Sequence, residues 1–303
     1  MSLPGIVALS LGSAAFFSLA TALKHRSAGQ VPHVQRFRPA DLRDFAVETL
    51  RHPLWLLGIL ADVGGLALQA SALHLGGLSV VQPVLVIAVL FSLILGHRVA
   101  GTRITRRELV LGGVLAVSVA GFLLASGATT AGTGPTSRLP PVMAAAAAVA
   151  VVVACVLTAR RAMRRKLVSK RAASLLGVAV GTIYAGTAAL LKTCAAGFAH
   201  GPGALLTSWP LYALLASGAV GVFLAQMAFQ AGPLTSSLPA TATTDPLVSV
   251  ALGVAIFGEQ LRHGIVPALL TVVCLVVMSS AVVLLTRVKV AADTASRRPQ
   301  TAA

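Results

Sequence analysis

Charged side chains are scarce in this chain of 303 residues. Asp, Glu, Lys and Arg together make up 11% of the sequence, whereas hydrophobic residues make up 56%. A soluble domain of this size needs many more ionic groups to cover its surface. The composition therefore excludes a water-soluble globular domain and indicates a protein whose main solvent is lipid.

Acidic residues, aromatic residues and cysteines are also few. Asp and Glu number 8 against 24 Lys and Arg, which gives a net charge of +16, and aromatic residues make up only 5%. The basic residues lie between apolar runs rather than along one helix face, so we exclude nucleic-acid binding. Cys155, Cys194 and Cys274 each lie inside an apolar run without the spacing of a zinc site, and we predict no bound metal cofactor there.

Long apolar runs are abundant. A helix that crosses a bilayer needs about 20 mostly apolar residues, because its backbone amides must be bonded within the segment. Nine stretches meet this requirement and predict an all-α membrane bundle. They are residues 5–24, 54–74, 79–96, 108–126, 141–159, 174–195, 210–230, 235–257 and 264–286.

The basic residues predict the orientation of this bundle. With nine crossings, 21 of the 24 Lys and Arg fall on one side of the membrane. Basic loops stay on the cytoplasmic side. We therefore expect a bacterial cytoplasmic-membrane protein with its amino terminus outside and its carboxyl terminus in the cytoplasm.

The chain divides into two similar units. We expect a first four-helix repeat at residues 1–126, a linking helix with a basic loop at 127–173, a second repeat at 174–286, and a disordered tail at 287–303. Within the first repeat, the polar segment 27–52 is predicted to form a short interfacial helix after Pro39, with a solvated loop as the alternative.

Landmarks recur in the same order in the two units. Lys24 and Gly29 match Lys192 and Gly197; Pro53 and Gln69 match Pro210 and Gln226 at an offset of 157; Leu78 and Pro83 match Leu234 and Pro239 at an offset of 156; Gly96 matches Gly258. Five crossings separate the first helix from the sixth, so the second unit enters the membrane upside down. Inverted repeats of this kind favour transport, because the two units can exchange conformations and open opposite sides in turn.

Two acidic residues lie inside predicted spans. Asp62 is near the middle of the second span, and Asp245 lies in the eighth span between Thr244 and Pro246. An ionised carboxylate at this depth costs about 2.5 to 3.5 kcal/mol on insertion scales, so such residues usually have a use. Each is a candidate proton carrier or cation ligand, with a packing role as the alternative.

Other polar groups complete a candidate solute path. Thr241 and Thr244 flank Asp245, the matched pair Gln69 and Gln226 can donate and accept hydrogen bonds, and Tyr184 extends the path along the sixth span. Lys192 is interpreted either as a partner for an Asp or an anionic solute, or as a side chain that reaches the headgroups. We expect Gln82–Pro83 and Pro239 to distort their helices.

The eighth and ninth spans resemble a known family. The segment DPLVSVALGVAIFGEQLRHGIVPALLTVVCLVVMSSAVVLL at 245–285 is similar to the closing motif of EamA-type halves in the drug/metabolite transporter superfamily. Ten-helix members have a further helix where this chain has the polar segment 27–52. Its nine-helix plan instead resembles the NIPA branch, described as magnesium transporters, through Lys24, Lys192, Gln226 and residues 71–96.

The sequence thus favours a transporter that moves a small polar or drug-like solute. A divalent-cation transporter with Asp245 and Asp62 as ligands, and a membrane scaffold or partner subunit without transport, are the alternatives. No HExxH or GxSxG motif is present, and we expect neither an enzyme nor a cofactor. The expected partners are the lipid bilayer, the solute or cation and, as a further candidate, a second copy of the chain in a homodimer.

Overall fold

The computed structural model of the protein describes residues 3–28, 53–100, 104–127, 139–165, 169–197, 201–232 and 234–296. Over these ranges the chain forms helices and no strand. The helices are α1 (Leu3–Ala28), α2 (Pro53–Leu75), α3 (Leu78–Leu85), α4 (Ala88–Ala100), α5 (Arg106–Ser126), α6 (Leu139–Arg165), α7 (Lys170–Gly197), α8 (Pro202–Leu206), α9 (Trp209–Ala231), α10 (Leu234–Phe257) and α11 (Ile265–Ser296). The predicted interfacial helix after Pro39 lies outside the described residues.

Nine helical segments within the described ranges are long and apolar enough to cross a membrane. They coincide in order with the nine predicted stretches, and α3 and α4 together make the third. This confirms a multi-pass, all-helical membrane protein. The short α8 lies between the sixth and seventh spans and does not cross.

The third span is broken, which the apolar pattern alone did not predict. Pro83 has no backbone N–H, so the helix loses one internal hydrogen bond and α3 ends two residues later, at Leu85. The chain turns at residues 86–87 and resumes as α4, where Ser18 of α1 donates a hydrogen bond of 2.9 Å to the carbonyl of Ala88. The predicted distortion at Pro83 is confirmed, whereas α10 continues through Pro239 and Pro246.

The carboxyl-terminal tail is more ordered than predicted. α11 extends to Ser296, so the prediction of disorder over 287–303 is wrong for residues 287–296. The segment RVKVAADTAS contains several good helix formers, which favour continuation of the helix. Continuation also keeps the backbone carbonyl groups at the end of the span hydrogen-bonded within the helix. Residues 297–303 lie outside the described ranges.

Helix pairing follows the same plan in both units. α1 packs against α2 and against α3–α4; in the second unit α7 packs against α9 and α10. The contacts involve glycines: the Phe16 ring lies against Gly64, and the Tyr184 ring lies against Gly221. We call α1–α5 the N-terminal unit and α7–α11 the C-terminal unit.

The two units meet through α3 with α10, α5 with α11, and α2 with α7. Two apolar clusters fill these contacts, one around Leu73, Leu78 and Leu252 and the other around Leu115, Val119 and Met278. The linking helix α6 lies at the periphery, where it contacts α7 and α10 and leaves most of its apolar side chains exposed. The interface therefore brings the broken third span against the proline-containing α10.

Candidate functional site

A buried ion pair joins the units where α2, α7 and α10 end. Lys192 Nζ lies 2.6 Å from Glu259 Oε1, and the two residues are only 7% and 3% exposed. The same ammonium donates to the carbonyl of Gly76 at 3.1 Å and lies 4.6 Å from the centre of the Phe257 ring. We call this cluster, with the start of α3, the junction.

The Glu259 carboxylate also caps the first turn of α3. Its Oε1 accepts a hydrogen bond from the backbone N–H of Leu78 at 2.6 Å, and its Oε2 accepts one from Ser79 at 2.8 Å. The amides at the start of a helix have no partners within it, and a carboxylate there is favoured by the helix dipole. One side chain of the C-terminal unit therefore satisfies backbone groups of the N-terminal unit.

Glycines make room for this carboxylate. A Cβ atom on Gly253 would lie 2.5 Å from Glu259 Oε2, and one on Gly77 would lie 2.9 Å from the same atom. Gly258 has a φ of 63°, in the left-handed region that favours glycine, and turns the chain back so that Glu259 N bonds to Gly253 O at 3.1 Å. Such a turn after α10 points the acid toward α3.

The electrostatic balance of the junction keeps Glu259 ionised. Burial on its own raises the pKa of this carboxyl, but the Lys192 charge and the hydrogen bonds from Lys192 and Ser79 outweigh burial, and the pKa falls below its ordinary value. A depressed carboxyl pKa stabilises the folded state above the unfolded-state pKa, and this stability is lost as the pH falls through the folded-state pKa. The junction is therefore intact at neutral pH.

A further bond joins the units at the same end. The backbone N–H of Arg262 donates to the carbonyl of Ser126, the last residue of α5, at 2.7 Å. The arginine side chain also lies against Gly127. The junction thus extends from the ends of α2 and α7 to the end of α5.

The structure corrects the sequence interpretation of Lys192. The predicted excursion to the headgroups is wrong, because the ammonium is enclosed by protein and bonded to Glu259. Its partner is neither of the two Asp residues but a glutamate that sequence reasoning overlooked. The signal was present in AIFGEQL, where an acid follows directly on the end of an apolar span.

Asp245 lies in a second polar region, between α7 and the middle of α10. Its Oδ1 accepts a hydrogen bond of 3.3 Å from the Ser249 hydroxyl one turn later. The side chain is half-buried, as are those of Thr241 and Thr244, so each of the three keeps some accessible surface. We call this region the Asp245 crevice.

Close packing of α7 fixes the crevice. Thr241 Oγ1 donates to the carbonyl of Gly177 at 3.0 Å. A Cβ atom on Gly181 would lie 2.8 Å from Thr241 O and 3.0 Å from Asp245 N. The two glycines, four residues apart, let the helices approach to backbone contact, which is a common role of small residues in membrane helices.

Replacing Gly181 by Ala is expected to destabilise the protein and displace Asp245. The new methyl group would overlap the α10 backbone, which has no flexible end to yield, and overpacking of this kind costs about 1 to 3 kcal/mol. Gly186→Ala on the same helix is the control, since a Cβ there has nothing within 4 Å. Thermal unfolding in detergent should show a lower midpoint for Gly181→Ala alone; equal midpoints would contradict the packing described here.

Tyr184 shares the Asp245 crevice. It lies one helical turn after Gly181 on α7 and is half-buried. Its ring packs on Gly221 of α9. The structure therefore brings together four of the predicted site residues: Asp245, Thr241, Thr244 and Tyr184.

The other predicted site residues lie elsewhere. Asp62 and Gln69 are half-buried on α2, whereas Gln226 is exposed on α9. Their matched positions in sequence do not give Gln69 and Gln226 the same surroundings. Lys192 belongs to the junction, and the Lys24 side chain lies outside the described residues.

An apolar groove of about 530 Å³ separates α10 from α11. Its lining includes Thr243, Leu247, Leu275 and Ser279 but not Asp245. The described residues contain no group of three or more His, Cys, Asp or Glu side chains placed to hold a metal ion. Neither observation provides further metal ligands beside Asp245 or Asp62.

Comparison with known proteins identifies one relative with extensive similarity. An uncharacterized protein of Corynebacterium glutamicum is 30% identical over 259 residues, which cover 84% of this chain and 86% of the relative. No protein-family model matches the chain. No solved structure matches it. The extent of the alignment shows that the chain belongs to the same family as this Corynebacterium glutamicum protein.

Proposed function

We propose that the protein is a membrane transporter that moves a small solute by alternating access between two inverted units. The observation that carries this proposal is the junction, a buried ion pair that closes the contact between the units at one end of the bundle. The half-buried carboxylate of Asp245 lies midway along the spans of the C-terminal unit, between α7 and α10. A closed end beside an interior polar site is the arrangement that alternating access requires.

The paired helix contacts support the inverted repeat. The offset of 168 residues between Lys24 and Lys192 also relates Phe16 to Tyr184, and the offset of 157 relates Gly64 to Gly221. The two aromatic–glycine contacts are therefore equivalent. Ile6 against Gly76 and Ala173 against Gly232 form a second such pair, to within one residue.

The junction differs from its counterpart in the other unit, and this asymmetry favours one closed end. His97 follows Gly96 as Glu259 follows Gly258. His97 Nε2 lies 3.2 Å from Glu108 Oε1, which belongs to its own unit, whereas Glu259 bonds across the interface. The bond from His97 to Glu108 lies within one unit, whereas the bonds of Glu259 connect two.

The basic loops predict on which side of the membrane the junction lies. If they stay in the cytoplasm, the ends of α2, α7 and α10 face outward, and the amino terminus is outside. The closed end is then the external face. We place the protein in the bacterial cytoplasmic membrane on the same basis.

The resemblance to the drug/metabolite transporter superfamily fits this proposal. Inverted four-helix units and a closing motif at 245–285 are the shared features, and the resemblance implies a polar metabolite or drug-like solute. Magnesium or another divalent cation is the alternative from the nine-helix NIPA branch. A scaffold without transport would have the same bundle, and it differs only in the absence of flux.

Flux measurements in liposomes test the proposal. Purified protein is reconstituted, and uptake of magnesium, protons, small cations and a panel of labelled metabolites is compared with empty liposomes. Lys192→Met should abolish net flux, because a protein that cannot close the junction cannot alternate between its two open states. Lys170→Met, which replaces an exposed lysine on the same helix, should leave flux unchanged. A protein that binds or moves none of these solutes would contradict transport and favour the scaffold.

A further inference from the structure

The Asp245 crevice has one free carboxylate oxygen. Oδ1 accepts from Ser249, but Oδ2 makes no hydrogen bond to any residue within the described ranges. The side chain is half-buried and so keeps some accessible surface. An acceptor in this position can bind a ligand without first breaking an internal contact.

No basic side chain of the described part of the chain compensates this carboxylate. Within the described residues Asp245 forms no ion pair, and its side-chain hydrogen bond comes from the Ser249 hydroxyl. Lys192 is a buried cation on the same helix as Tyr184, but its ammonium is paired with Glu259 at 2.6 Å. A buried carboxylate without a partner is strongly unfavourable. A proton neutralises such a group when no ligand is present, and a cationic ligand can take the place of that proton.

The crevice offers one negative charge and not several. The N-terminal unit has Val89, Ala88 and Phe16 at the positions equivalent to Asp245, Thr244 and Tyr184, so it supplies no second acid. Hard divalent ions take six or more oxygen ligands, usually with several carboxylates. One carboxylate, two threonine hydroxyls and a tyrosine match a ligand of single positive charge.

The non-carboxylate neighbours favour a nitrogen cation. Aromatic rings attract ammonium and guanidinium groups, and hydroxyl oxygens accept their N–H donors. The Tyr184 ring is held in place by Gly221, and Thr241 by its bond to Gly177. These contacts orient the crevice before any ligand arrives.

We propose that the Asp245 crevice binds a solute with one ammonium or guanidinium group, which forms an ion pair with Asp245 and contacts Thr244 and Tyr184. This inference rests on the proposed transport function, of which it specifies the substrate class. Asp245 and Thr244 would be binding residues, and Gly177 and Gly181 would position them.

A lipid-soluble carbodiimide, which modifies buried carboxyl groups, tests this site directly in the purified protein. The modification rates of Asp245 and Asp62 are read from their separate peptides by mass spectrometry, so Asp62 is an internal control. Methylammonium, guanidinium and tetramethylammonium are the probes, with magnesium and acetate at matched ionic strength. A probe at ten times its Kd should slow modification of Asp245 about tenfold and leave Asp62 unchanged.

Binding of the radiolabelled probes provides a second readout. It should be lost in Asp245→Asn and retained in Asp62→Asn. Protection of Asp245 by magnesium alone, equal slowing at both carboxyls, or no protection and no tracer binding by any of the three probes would each overturn the proposal. If the probes failed to bind but other solutes moved in the liposome assay, the transport proposal would still hold. If the probes bound but no solute moved, the transport proposal would be contradicted and the binding site would remain.

Discussion

Replacing Lys192 by Met is expected to lower the free energy of unfolding by about 3 to 5 kcal/mol, because it leaves the Glu259 carboxylate buried without its cation. The methionine side chain fills similar space, so the loss comes from charge rather than from a cavity. Both partners are almost fully enclosed, which leaves little solvent to screen the missing charge. Unfolding in detergent by heat or denaturant measures the difference, with Lys170→Met as the exposed control.

The double variant separates pairing from general damage. Glu259→Leu in the Lys192→Met background removes the stranded charge, and replacement of a buried pair by apolar residues is often neutral. We expect the double variant to recover part of the lost stability, short of the parent, since the Leu78 and Ser79 amides lose their acceptor. Glu259→Leu alone is measured as well. If the double variant lost as much stability as the two single variants together, Lys192 and Glu259 would not interact.

Gly253→Ala is expected to break the junction without changing any charge. Its methyl group would lie 2.5 Å from Glu259 Oε2 and 3.3 Å from the backbone nitrogen of Ser79, and the carboxylate cannot move aside while it holds Lys192 and α3. Overpacking and the loss of these bonds should lower stability by about 1 to 3 kcal/mol. In liposomes, flux should fall to the level of Lys192→Met.

Gly218→Ala is the matched control for this prediction. A Cβ atom on Gly218 has nothing within 4 Å, and the residue also lies in a membrane span. Its stability and flux should equal those of the parent. If Gly253→Ala also behaved like the parent, the carboxylate would not occupy the position described, and the junction would lose its role.

The spans could be predicted from the sequence because each depends only on local composition. Twenty apolar residues need a helix whatever their neighbours are, and basic residues such as Arg160 and Arg161 mark where a span ends. The continuation of α11 to Ser296 was missed because the composition of a polar stretch with helix formers is the same whether the stretch is helical or disordered.

The junction could not be predicted because its partners are distant in the chain. Glu259 meets Leu78 about 180 residues away, and no local pattern records that pairing. Lys192 was recognised as unusual, yet a lysine near the end of a span also fits the lipid headgroups. For Asp245 the sequence identified the residue and its threonines, whereas the accessible oxygen and the absence of a basic neighbour within the described ranges required coordinates.

The most direct test of alternating access is the accessibility of Ser79→Cys in a background that lacks Cys155, Cys194 and Cys274. Ser79 is buried beneath Glu259, so a membrane-impermeant maleimide should not label it while the junction is closed. Adding Glu259→Gln should make the cysteine reactive from the external face of right-side-out vesicles and leave it unreactive in inverted vesicles. Equal labelling with and without Glu259→Gln, or labelling from the cytoplasmic face alone, would contradict an external gate at the junction.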